Sequence, residues 1–118
     1  MERVTVDQVK EAYKETGLVP ARGNWYFVDG HMECACALTA LSAKKDPSFR
    51  ERLKGREEPE YCIWIQDING LSFDYVDGFT TGFDKPDDKR HYKDRSPLFH
   101  KAFEDGVAAW KAIEECEI

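Results

Sequence analysis

The stretch Cys34-Ala35-Cys36-Ala37-Leu38-Thr39-Ala40-Leu41-Ser42-Ala43 constrains the fold more than any other part of the chain. It carries no charge and little side-chain bulk, so as a helix it has no stripe that prefers water. Such a helix is surrounded by other elements, and its small residues let them come close. We place it at about residues 35–43, ending at Lys44-Lys45, whose charges suit a helix C-terminus. The remaining elements must then be amphipathic and wrap this one. With 118 residues the chain suits one core and is too short for a two-domain enzyme. Its 42% hydrophobic and 34% charged residues fit a folded domain and not a disordered tail.

The wrapping elements are well punctuated. Thr5 with Gln8 three residues on forms a capping-box pattern, and Val6, Val9 and Tyr13 follow at helical spacing until Gly17. This predicts a helix at about 6–16. Next comes Trp25-Tyr26-Phe27-Val28-Asp29-Gly30-His31-Met32, where Asp-Gly between β-formers signals a tight turn. We expect one small hairpin, roughly 24–28 paired with 31–34, lying against helices. Asp46-Pro47 opens a short helix through Phe49 and Leu53, with Gly55 as its stop. Pro59 opens another, with Tyr61, Trp64, Ile65 and Ile68 on one face and Asn69-Gly70 at its end. Ser72 caps a helix carrying Phe73, Val76 and Phe83, with Phe79 or Thr80 between. Residues 84–95 are charged and proline-interrupted, and read as an exposed loop. Ser96-Pro97 starts a long last helix with Phe99, Phe103, Val107, Trp110 and Ile113 in line. The expected fold is mainly α: a single domain spanning 1–118, a bundle of about six helices with one small N-terminal β-hairpin.

Three patches carry a resemblance. Cys36-Ala37-Leu38-Thr39-Ala40-Leu41 is one, and Tyr75-Val76-Asp77-Gly78-Phe79-Thr80-Thr81-Gly82-Phe83-Asp84 is another. The third is Thr16-Gly17-Leu18-Val19-Pro20-Ala21-Arg22-Gly23. Together they resemble short bacterial proteins of unknown function that pair a small-residue, Cys-containing helix with a Tyr-Val-x-Gly-Phe-x-x-Gly-Phe-Asp segment. The patches run from about residue 12 to 84. The resemblance implies an α-helical fold, and it brings no activity and no catalytic residue.

Several constellations carry residue types suited to chemistry. His31, Cys34 and Cys36 supply ligand types that zinc prefers, with Cys62 or Cys116 as a fourth. The paired Cys-x-x-Cys knuckles of structural zinc sites are missing, and packing explains small buried cysteines as well. Cys36, at a helix start, is the thiol to test for reactivity, although the spacing puts neither His91 nor His100 beside a cysteine. Gly78 and Gly82 share a helical face. Two such glycines cost about 1 kcal/mol each against Ala, so something must approach closely there. The Ala-rich helix at 35–43 is the expected neighbour, and a ligand or partner helix the alternative. Asp67-Ile68-Asn69-Gly70 starts like a calcium loop, but its Gly comes too early and the closing Glu is absent.

The net charge is −6, concentrated in two regions. Residues 61–83 hold three carboxylates and no cation, and the last helix ends in Glu114-Glu115. This argues against direct nucleic-acid binding, which draws on clustered Lys and Arg. No run is long and apolar enough to cross a membrane. The N-terminal residues lack a signal-peptide core, so cytoplasmic thiols are expected. No cofactor fingerprint is present. The leading expectation is an acidic protein-interaction module that binds a basic partner through Asp74, Asp77, Glu114 and Glu115, with room for a homo-oligomer. The alternatives are a small metal-binding protein or enzyme using His31, Cys34 and Cys36, and an acidic decoy that occupies a nucleic-acid-binding site on another protein.

Overall fold

A computed structural model describes residues 3–54, 61–87 and 95–116. Its elements run α1 (Val6–Thr16), β1 (Val19–Pro20), β2 (Tyr26–Asp29), β3 (Met32–Ala35), α2 (Ala37–Lys45), α3 (Pro47–Lys54), α4 (Tyr61–Asn69), α5 (Phe73–Asp84) and α6 (Pro97–Cys116). The architecture is mainly α. The helix terminations at Gly55 and Pro59, and most of the 84–95 loop, lie outside the described residues.

Local chemistry sets the helix ends. The Gln8 N–H donates to Thr5 Oγ1 at 3.2 Å, and Gln8 Oε1 accepts from the Thr5 N–H at 2.8 Å. Two otherwise unpaired backbone donors are thus satisfied at once. Gly17 closes α1 at φ +73°, its N–H reaching the Tyr13 carbonyl. Ser72 caps α5 by accepting from the Tyr75 N–H, and Ser96 does the same for Phe99 at the head of α6.

α2 sits in the middle, as its composition requires. Residues 37–43 are all buried, and α1, α3, α4 and α5 pack around them. The two hydroxyls inside it are satisfied locally. Ser42 donates to the Leu38 carbonyl and accepts from Asn69, which pins the end of α4 to α2. Thr39 lies 3.3 Å from the Cys36 sulfur.

The sheet departs from expectation. β2 and β3 do form a hairpin, but shifted, with Tyr26 opposite Ala35 and Asp29 opposite Met32. The turn is Gly30-His31, with Gly30 at φ +63°. β1 adds a third strand, pairing parallel to β3 with Val19 opposite Cys34, so the sheet is mixed, in the order β1-β3-β2. Two residues are too few for alternation to reveal, and their partner lies fifteen positions away, so local pattern could not show this strand.

The glycine face of α5 meets α6, not the Ala-rich helix. A Cβ on Gly78 would lie 2.4 Å from the Phe99 carbonyl oxygen, and one on Gly82 2.1 Å from that of Phe103. Gly106 on α6 returns the contact, its hypothetical Cβ 2.2 Å from the Phe79 oxygen. Backbone therefore packs on backbone along this pair. The close-approach reading of the two glycines holds, with a different neighbour, because α6 carries the complementary small residue.

Candidate functional site

The expected acidic surface is not assembled as a free face. Asp74 and Asp77 are half-buried on α5. Asp74 Oδ2 accepts from the Ser96 hydroxyl at 2.8 Å, and Asp77 pairs with Arg95, whose guanidinium lies 4.2 Å from the Phe99 ring centre. Together they fasten the head of α6 to α5. These partners lie about twenty residues further on, so the local sequence does not show that the two acids are engaged. Glu114 and Glu115 are exposed, and Glu114 accepts from the Trp110 indole N–H.

His31, Cys34 and Cys36 are not gathered either. His31 is exposed in the hairpin turn, while Cys34 and Cys36 are buried. Among the described residues no group of three or more His, Cys, Asp or Glu side chains could hold a metal ion. Neither cysteine lines the clefts at α3–α4, α2–α3 or α1–β1. Burial pushes the Cys36 thiol up to about 11, against the Thr39 hydrogen bond that would lower it. A helix start favours a thiolate, but full desolvation outweighs it here. In a Cys116→Ser background, a thiol reagent should therefore label half-buried Cys62 first, with Cys34 and Cys36 reacting only on unfolding. Mass spectrometry of the time course checks this, and early labelling of Cys36 would contradict it.

A second, half-buried cluster joins distant parts of the chain. Arg22 Nε donates to the Phe83 carbonyl at 2.8 Å, and its guanidinium lies 4.0 Å from the Trp110 ring centre. Beside it Asp84, the last residue of α5, is raised by burial, against the Gly23 N–H and Arg22, which lower it. This joins the loop after β1 to the end of α5.

The face built by β2, α3 and α4 differs in kind. Trp25 stacks on Tyr61 with ring centres 5.8 Å apart. Tyr61 meets the edge of Phe49 at 6.4 Å, and Phe49 meets Trp64 at 6.0 Å. Phe49 is buried, whereas Trp25, Tyr61 and Trp64 remain partly open to solvent. The row ends in a cleft of about 150 Å³ lined by Asp46, Ser48, Arg52, Trp64, Asp67 and Ile68. There the Arg52 guanidinium lies 4.5 Å from the Trp64 ring centre. Asp46 is fixed by its role at the head of α3, where Oδ1 accepts from the Ser48 N–H at 3.0 Å, while Asp67 is exposed.

A polar network braces this face. Tyr26 donates to Glu33 Oε1 at 2.8 Å, and Arg50 Nη2 donates to Glu33 Oε2 at 3.1 Å. Burial and the Glu33 hydrogen bond push the Tyr26 hydroxyl up to about 12. The network ties the sheet to α3 and so fixes Trp25 relative to Trp64. The sequence puts Tyr61, Trp64, Ile65 and Ile68 on one face of a helix. The helical spacing was right, but only Ile65 of α4 is fully buried. Aromatic bulk at Trp25, close to the hairpin signal, was the one clue to a shared face.

Comparison of the chain with protein-family models, curated proteins and solved structures gave no match.

Proposed function

We propose that this domain is a protein-interaction module that receives a basic segment of a partner on the Trp25–Trp64 face. One observation carries the reading: the Arg52 guanidinium lies over the Trp64 indole in a cleft that Asp46 and Asp67 also line. A cation over an indole face gains about 0.5–1 kcal/mol at an exposed site, and nearby carboxylates add to the attraction. A partner's Arg or Lys finds the same chemistry there, in competition with Arg52. The surrounding residue types are those that dominate binding energy at interfaces, Trp, Tyr and Arg. Half-open rings held rigid by one another lose little entropy on contact. The acidic balance of the chain draws a basic segment in before it docks.

The test is calorimetric titration with a short arginine-rich peptide at low ionic strength. Saturable binding is expected, with no heat from an acidic peptide of equal length. Asp67→Asn, an exposed change, and Trp64→Ala should each weaken binding by about threefold or more. Binding indifferent to both would mean non-specific charge attraction and would sink the reading.

A further inference from the structure

A second site of different character lies between α1 and β1. This groove, of about 440 Å³, is lined by Lys10, Tyr13, Lys14, Leu18, Val19 and Pro20, with Gly17 at its end. That volume falls in the range of small-molecule sites. Its floor is apolar. Leu18 and Tyr13 are buried, and the Tyr13 hydroxyl is engaged by the Ala35 carbonyl at 2.8 Å. Gly17 leaves open space at the end of the groove, with nothing within 4 Å of a Cβ built there.

The charge pattern is the decisive feature. The cleft at α3–α4 contains Asp46 and Asp67, and the one at α2–α3 contains Glu15 and Glu51. The α1–β1 groove has Lys10 and Lys14 and no carboxylate, in a chain of net charge −6. The two lysines are four apart and so share one face of α1, where like charges repel. Lys44 pairs with Glu11 and Glu15, whereas neither Lys10 nor Lys14 has an ion-pair partner among the described residues. A bound anion relieves that repulsion. The edge of the sheet here does not invite a peptide strand. β1 has two residues, and Pro20 has no N–H to donate.

The geometry points to a binding site for a small single-chain anionic amphiphile, with the apolar chain along Leu18, Val19 and Pro20 and the carboxylate between Lys10 and Lys14. The site is separate from the Trp64 cleft and does not depend on it.

The probe is octanoate, added as monomer to isotope-labelled protein and followed by amide chemical shifts. Saturating shifts confined to residues 10–20 are expected, with Kd on the order of 1 mM or tighter for a ligand of that size. Lys10→Gln/Lys14→Gln and Lys10→Glu/Lys14→Glu should weaken binding several-fold and at least tenfold respectively, and Trp64→Ala should leave it unchanged. A trimethylammonium amphiphile of equal chain length should not bind. Equal binding of that cation, shifts scattered over the surface, or indifference to both lysine variants would overturn the proposal. So would capture by anionic vesicles with no response to free octanoate, which would assign the lysines to a membrane surface.

Discussion

Gly82→Ala should cost on the order of 3 kcal/mol, as a loss of roughly 10 °C or more in Tm. The added methyl would sit 2.1 Å from the Phe103 carbonyl oxygen and 2.8 Å from its carbon. Those atoms are backbone within a helix, so no side-chain rotation relieves the clash. α5 and α6 must separate, and Phe79, Phe83 and Phe103, all buried, lose contact. The change also gains about 1 kcal/mol in helix propensity, which the clash must outweigh. Gly106→Ala meets the same difficulty from the opposite side. Gly17→Ala is the control, since it faces open space and pays only for its left-handed backbone, about 1–2 kcal/mol. Thermal unfolding followed by circular dichroism separates them. A Gly82→Ala variant as stable as the parent would mean that α5 and α6 do not meet backbone to backbone.

Stability should also fall steeply in alkali. Burial raises the Cys36 thiol from 9.0 to about 11 and, with the Glu33 hydrogen bond, the Tyr26 hydroxyl from 10.0 to about 12. Tyr13 and Tyr75 are also raised, by burial first and for Tyr75 by its hydrogen bond to Asp105 as well. The folded chain therefore holds these protons where the unfolded chain has released them. The contribution is complete below about pH 9, declines as the unfolded groups ionise, and is lost as pH passes 11–12. For fully buried Cys36 the slope approaches about 1.4 kcal/mol per pH unit inside its window. Denaturant midpoints measured from pH 8 to 11.5 should drop, with Cys36→Ala removing the earliest part of the slope. A midpoint that stays flat to pH 11.5 would contradict the burial of these groups in neutral form.

What was legible in the sequence was what depends on neighbours in sequence. Thr5, Gln8, Gly17, Ser72 and Ser96 act within four residues, and each occupies the role its local pattern implies. The uncharged Cys34–Ala43 stretch declared its central position because no face of it tolerates water. What was not legible depends on distance along the chain. β1 exists only because β3 is beside it. Asp74 and Asp77 look like solvated acids until Ser96 and Arg95 come alongside. Gly78 and Gly82 announced a close approach but not its direction, which Gly106 decides. The aromatic face is the same kind of case, since Trp25, Phe49, Tyr61 and Trp64 come from a strand approach and two helices. Cys36 shows a local rule overruled, its position at a helix start outweighed by complete burial.

On the proposed function, the Trp64 cleft accepts a partner's cation in competition with the chain's own Arg52. Arg52→Ala tests it most directly, because it vacates the indole face without altering Trp64, Asp46 or Asp67. Calorimetric titration with the arginine-rich peptide should then show binding about two- to fivefold tighter than the parent, the gain of one exposed cation–π contact no longer displaced. Unchanged or weaker binding to the Arg52→Ala protein would mean that the peptide does not enter this cleft.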